Sequence, residues 1–248
     1  MQLLLHRTIP RLFSRTMSSS STAAPVIISG NRVEPVWTPS HELGEGGLWH
    51  PILQTYMHVD IYGPSKHCAG PAVYLHNPYK NNEFKVFPVP SYCGTVVPCK
   101  NSKYALVSLQ NGIHSLDLET GEVKFITNPD GKAENRWNDG KCSPEGRFWG
   151  GTMGIPGKVL PKVGGLYVLN TDKTARKALS DITISNGIAW SPDSKTMYYI
   201  DTPTDAVYAF DYDTVTGEIT NQRTAFSIPP GTGHPDGSCI DSEGKFIV

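Results

Sequence analysis

Residues 184–202 read ISNGIAWSPDSKTMYYIDT: a short apolar run after Asn186-Gly187, the polar cluster Ser191-Pro192-Asp193-Ser194, then Thr196 to Asp201, rich in aromatic and β-branched side chains. Two alternating apolar runs separated by Ser, Pro and Asp are the signature of paired strands joined by a tight turn. The same phrase recurs along the chain. Gly46 leads to GLWH, the break PILQ and TYMHVDI; Gly140 leads to SPEG and RFWGGTM; Gly237 leads to DSEG and KFIV. Laid over one another, the repeats place Glu45-Gly46, Cys93-Gly94, Asp139-Gly140, Asn186-Gly187 and Asp236-Gly237 in register. The glycines are 48, 46, 47 and 50 residues apart (94−46, 140−94, 187−140, 237−187), a period that holds one four-stranded sheet with its turns.

Third and fourth strands are expected after most of these pairs: AVYLHNP with EFKVFPV, IHSLDLETG with EVKFITN, GLYVLNT with a weaker ARKAL, and VYAFDYDTVTG with ITNQRTAF. No stretch keeps a 3.6-residue apolar period through three turns, so the chain is expected to be all-β. Four strands per long repeat predict a β-propeller, whose sheets pack radially around a channel lined by the innermost strands. Each inner strand is expected to begin just after its aligned glycine. A missing side chain there permits close backbone approach where blades crowd the axis.

Composition limits the function classes. The net charge is −1 in 248 residues, with lysine and arginine scattered singly, which leaves no basic stripe for nucleic acid. No apolar run approaches the about 18 residues of a membrane span. The five cysteines include no CxxC pair, so neither a disulfide framework nor a thiolate zinc site is indicated, and mostly buried, reduced thiols of an intracellular protein are expected. Residues 1–24 differ from the rest: they carry Arg7, Arg11 and Arg15, four consecutive serines from Ser18, and no acidic residue. Residues 1–16 suit a mitochondrial targeting peptide; alternatively Met17 starts a cytoplasmic protein with a disordered tail. Residues 25–248 form the expected propeller. Gly237 opens a fifth repeat of which 11 residues follow (248−237), giving about four blades plus the start of a fifth. Residues 33–37 have the pattern of a strand that closes the final blade of a ring. A chain of this extent, made alone, is expected to expose unpaired sheet edges and to associate or misfold.

Equivalent positions of a radial repeat converge on one axis. Glu45, Asn138 or Asp139, Asn186 and Asp236 therefore become candidate ligands for a single divalent cation, since carboxylate and amide oxygens suit Ca²⁺, Mg²⁺ and Mn²⁺ and are tolerated by Zn²⁺. Singly, Asn-Gly and Asp-Gly are turn dipeptides; their recurrence at one repeat position is what points to a shared site. Other features carry less. There is no GxSxG elbow. Gly44-Glu45-Gly46-Gly47 and Gly231-Thr232-Gly233 do not lie between a strand and a helix, as phosphate loops do. His234, two residues before Asp236, is read as a loop residue, with reach into the site as the alternative, and Trp49, Trp137, Trp149 and Trp190 as blade packing.

The strings HELGEGGLWH, NRWNDGKCSPEGRFWGGTM, ISNGIAWSPDSKTMYYIDT and GHPDGSCIDSEGKFIV resemble, in order and spacing, the motifs of the family of regucalcin (senescence marker protein), gluconolactonase and luciferin-regenerating enzyme. The resemblance spans about residues 33–248 and implies a six-bladed β-propeller with one divalent cation in its channel. Matched motif by motif, it implies Glu45, Asn186 and Asp236 as metal ligands, Asp236 also as the proton donor and acceptor, and Arg136 and Asn138 as substrate-binding residues. The implied activity is metal-dependent hydrolysis of a sugar lactone. A calcium-binding regulatory protein, a propeller scaffold without turnover, and a phosphotriesterase or aryl-lactonase are the alternatives. Where the family's animal members carry two acidic residues after the GTM turn, this chain reads Gly154-Ile155-Pro156, which bears on the choice of lactone.

Overall fold

A computed structural model describes residues 40–80 and 83–248; the amino-terminal tail and the proposed closing strand at residues 33–37 lie outside the described residues. The described chain is a β-propeller in which four-stranded antiparallel sheets follow one another in chain order. The first contains β1 (Gly44–His50), β2 (Thr55–Asp60), β3 (Ala72–Asn77) and β4 (Glu83–Pro88). The second contains β5 (Cys93–Pro98), β6 (Tyr104–Leu109), β7 (Gly112–Asp117) and β8 (Val123–Thr127). The third contains β9 (Asn135–Cys142), β10 (Phe148–Gly154), β11 (Gly164–Leu169) and β12 (Ala175–Ile182), and the fourth β13 (Ser185–Trp190), β14 (Thr196–Asp201), β15 (Ala206–Tyr212) and β16 (Ile219–Ser227). The hairpin β17 (Cys239–Ile240) and β18 (Phe246–Ile247) follows. The weakest expected strand, ARKAL, is the eight-residue β12.

The sheets pack face to face, and period-two alternation decides which neighbour each side chain meets. On β6, Ala105 and Val107 join Met57, Val59, Val73 and Leu75 of the first sheet. Leu106 between them turns the other way and joins Trp137, Phe148 and Tyr167 of the third. On β11, Leu166 and Val168 face Ile188, Met197, Tyr199 and Phe210 of the fourth sheet. Middle strands are thus buried on both faces, which is why they read as near-continuous apolar runs. A fully buried leucine such as Leu106 contributes on the order of 2 kcal/mol.

Two expectations need correction. The inner strands begin before the aligned glycines, and Gly46, Gly94, Gly140 and Gly187 lie inside β1, β5, β9 and β13. The reason is a bulge in each. Glu45 pairs with Val59 and Leu48 with Met57, so three steps on β1 oppose two on β2. Cys93 and Thr95 oppose Leu109 and Ser108, Trp137 and Gly140 oppose Thr152 and Gly150, and Asn186 and Ile188 oppose Ile200 and Tyr199. One extra residue bends each inner strand and re-aims its side chains. Thiol burial is also less uniform than expected: Cys93 and Cys99 are buried, Cys68 and Cys142 partly so, and Cys239 is exposed.

Beside β1 a polar cluster ties the entering chain to the first sheet. Buried Asp60 accepts hydrogen bonds from the backbone N–H groups of Glu42, Leu43, Tyr62 and Gly63. His41 contacts Asp60 at 3.5 Å and His58 Nε2 at 2.8 Å, and His58 stacks on Tyr74. Burial, reinforced by the neighbouring imidazole of His41, lowers the His58 pKa to about 4. A histidine with a depressed folded-state pKa takes up a proton on unfolding. Its contribution is present above pH 6.5 and is lost as pH falls toward 4, by up to about 3 kcal/mol. The His58→Gln variant is expected to show a shallower fall in Tm between pH 6.5 and 4 than the parent; parallel curves would exclude His58 as a source of the acid sensitivity.

Candidate functional site

The bulged inner strands and the segment before β17 bring polar side chains around one cavity of about 400 Å³, lined among others by Glu45, Arg136, Asn138, Asp139, Asn186 and Asp236. All five residues expected at the site are therefore brought together. Asp139, the alternative to Asn138, lines the same cavity. Glu45 belongs to β1, Arg136, Asn138 and Asp139 to β9, and Asn186 to β13; Asp236 lies in the segment just before β17. The second sheet supplies no polar ligand. Its aligned residue is Cys93, whose thiol burial pushes up to about 12.

Close approach of the inner strands explains two of the glycines. A Cβ on Gly94 would lie 2.4 Å from the Trp137 carbonyl oxygen and 2.6 Å from that of Asn138. Gly187 has φ +31° and packs on the next segment, where a Cβ would come 2.9 Å from the Asp236 carbonyl oxygen. Side chains at either position would push apart the strands that carry the ligands.

A directed hydrogen-bond network orders the cavity wall. Arg136, 4% exposed, donates from NH1 to Asn138 Oδ1 at 2.7 Å and to the Trp137 carbonyl at 3.0 Å, and from NH2 to the Tyr62 hydroxyl at 3.2 Å. The Tyr62 ring lies 5.5 Å from the guanidinium carbon, a cation–π contact. Asn138 Nδ2 donates to the Ser185 carbonyl at 2.8 Å and to Asn186 Oδ1 at 2.9 Å. Asn186 Nδ2 donates to Thr202 Oγ1 at 2.8 Å. Sequence reading did not find Tyr62 or Thr202, because neither occupies the repeated position. His234 stands apart, 70% exposed and paired with Asp205 at 2.6 Å. Trp137, Trp149 and Trp190 are core residues as expected. Trp49 instead lines the cavity, partly exposed, with its ring edge-on to Tyr79 at 6.0 Å.

The electrostatics favour a cation. Burial, then the charges of Asp236 and Asp139, raise the Glu45 pKa, against the opposing pull of Arg136 and the Gly46 N–H. Burial raises that of Asp139, with Lys141 opposing. Among the described residues no group of three His, Cys, Asp or Glu side chains can hold an ion by itself, so an ion in this cavity would draw on further oxygen donors. Asn186 Oδ1 and Asn138 Oδ1 supply that chemistry. Carboxylates that repel one another beside neutral amide oxygens make a hard-oxygen donor set that fits a divalent cation.

The family model described as "SMP-30/Gluconolactonase/LRE-like region" matches residues 43–248. This chain belongs to that family. Human regucalcin is 42% identical over 231 residues, spanning 89% of this chain and 72% of its own length. The solved structure of a luciferin-regenerating enzyme superposes with a TM-score of 0.75 at 33% identity, covering 84% of this chain and 68% of its own. Regucalcin of Agrobacterium tumefaciens, described as a calcium-binding protein, gives a TM-score of 0.74 at 26% identity over 84% of this chain and 67% of its own. Among the described residues no helix is long and apolar enough to cross a membrane.

Two outcomes follow from the packing and charge of this family member's cavity. Gly94→Ala should lose more than about 2 kcal/mol of stability in chemical denaturation, because the obstructing atoms are backbone; an unchanged midpoint would show the strands are not in contact. The raised Glu45 pKa means the folded state keeps a proton the unfolded state has lost. Its contribution is present below pH 4.5 and lost as pH rises through the folded-state value. In a chelator, Glu45→Gln should therefore raise Tm at pH 7 and leave it unchanged near pH 4; a lower Tm at pH 7 would contradict the repulsion.

Proposed function

We propose that this chain is a divalent-cation-dependent hydrolase of sugar lactones, with Glu45, Asn186 and Asp236 as the metal ligands. The observation that carries the reading is that these three residues, from separate sheets and a following segment, line one cavity with Arg136 and Asn138 in a member of this family. Ca²⁺, Zn²⁺, Mg²⁺ and Mn²⁺ all accept such oxygen donors. A cation bound there supplies Lewis acidity toward the lactone carbonyl.

The chain's own residues do the rest. Asp236, exposed to the cavity, accepts the proton of a water that attacks the carbonyl carbon. As the bond from that carbon to the ring oxygen breaks, Asp236 returns the proton to the departing oxygen, and the product is the open hydroxy acid. Arg136 is held by Tyr62 and Asn138, so its guanidinium offers a fixed positive charge near the developing oxyanion. Asn138 helps orient the substrate hydroxyls.

The description of the Agrobacterium relative as calcium-binding favours a second reading, cation binding without turnover. Asp236→Ala separates them. The parent, assayed on gluconolactone beside an organophosphate with each cation added back, should hydrolyse the lactone, and the variant should lose at least about a hundredfold in rate with its far-UV circular dichroism intact. A variant that keeps its turnover would remove Asp236 from the reaction. A parent that binds Ca²⁺ and turns over neither substrate would favour the regulatory reading.

A further inference from the structure

Thr202 connects two of the proposed ligands from behind the residues that line the cavity. It opens the short turn Thr202–Thr204 after β14, is partly buried, and its backbone N–H donates to the Ile184 carbonyl at 3.1 Å. Its hydroxyl donates to the Pro235 carbonyl at 2.9 Å, one residue before Asp236. The same oxygen accepts from Asn186 Nδ2 at 2.8 Å.

The direction of every link is fixed from both ends. A guanidinium can only donate, so the atom of Asn138 that meets Arg136 is the carbonyl oxygen, at 2.7 Å. The amide nitrogen of Asn138 then faces Asn186, whose nearest atom must be an oxygen, at 2.9 Å. That leaves the Asn186 nitrogen to meet Thr202. A peptide carbonyl can only accept, so the single hydroxyl proton of Thr202 goes to Pro235 and its lone pairs are left for Asn186. Donors run one way from Arg136 to Pro235.

We propose that Thr202 is a positioning residue that locks the Asn186 amide with Oδ1 toward the cavity and anchors the segment that carries Asp236. The inference rests on the reading of this cavity as a divalent-cation site. Without the hydroxyl, the Asn186 nitrogen loses its acceptor and Asn138 alone holds the amide, which loosens the lock; an amide that turned its NH₂ toward the cation would repel instead of ligating. A residue that merely satisfied the Pro235 carbonyl would affect folding and leave the amide alone.

The test measures the Mn²⁺ dissociation constant by electron paramagnetic resonance of the free ion, with Tm in chelator followed in parallel. Thr202→Val should weaken Mn²⁺ binding about tenfold or more, and Thr202→Ser should stay close to the parent. Should Thr202→Val not fold, Thr202→Ala takes its place with the same expectation. In an Asn186→Asp background both side-chain ends are oxygens, so the share of the loss that comes from the amide disappears and Thr202→Val should cost less than in the parent, leaving the share from the Pro235 anchor. Parent-like affinity in the Val or Ala variant, or an equal loss in the Asp background, would overturn the proposal while leaving the cation site in place. A parent that binds no Mn²⁺ would overturn the cation-site reading and this inference with it.

Discussion

The extra residue in each inner strand is the constraint on which the site depends. In an unbroken strand, side chains alternate strictly between faces, and in β5, β9 and β13 both faces are committed to neighbouring parts of the propeller. A polar residue on such a strand would be driven into an apolar interface. The bulges at Glu45 to Leu48, Cys93 to Thr95, Trp137 to Gly140 and Asn186 to Ile188 interrupt that alternation where the strands approach the axis. They let Glu45, Asn138, Asp139 and Asn186 face the cavity while residues a few positions on, such as Ile188, return to the core.

The bulges also set how closely the sheets can come together. Gly94 lies against the backbone of Trp137 and Asn138, and Gly187 against that of Asp236, so the glycines and the ligands are two consequences of the same local geometry. The two-sided cores between sheets hold the strands at this separation. Charge then works against packing: Glu45 is destabilised as a carboxylate by burial and by Asp236 and Asp139, with Arg136 as partial compensation. Arg136 is itself spent on Asn138, Trp137 and Tyr62. A bound cation would remove the repulsion without disturbing those contacts.

Much of this was legible in the sequence, for a physical reason. Strands buried on both faces, tight Ser-Pro-Asp turns and a period near 47 residues leave strong local signals, and recurrence of a polar-Gly pair marks the axis. What was not legible depends on contacts between segments. The bulges move the inner-strand starts ahead of the glycines, and register shifts have no reliable signature in a single strand. Trp49 resembles the core tryptophans in its surroundings, yet it lines the cavity. Tyr62 and Thr202 act across 74 and 16 residues of chain, and neither stands at the repeat position that singled out the ligands.

The central claim is that oxygens from separate parts of the chain share one ion. Anomalous diffraction from crystals soaked in Mn²⁺ tests it most directly. The account predicts a single strong peak within bonding distance of Glu45, Asn186 Oδ1 and Asp236, with Asn138 beside it. A cavity free of anomalous density at saturating Mn²⁺, or a peak held by other residues, would contradict it.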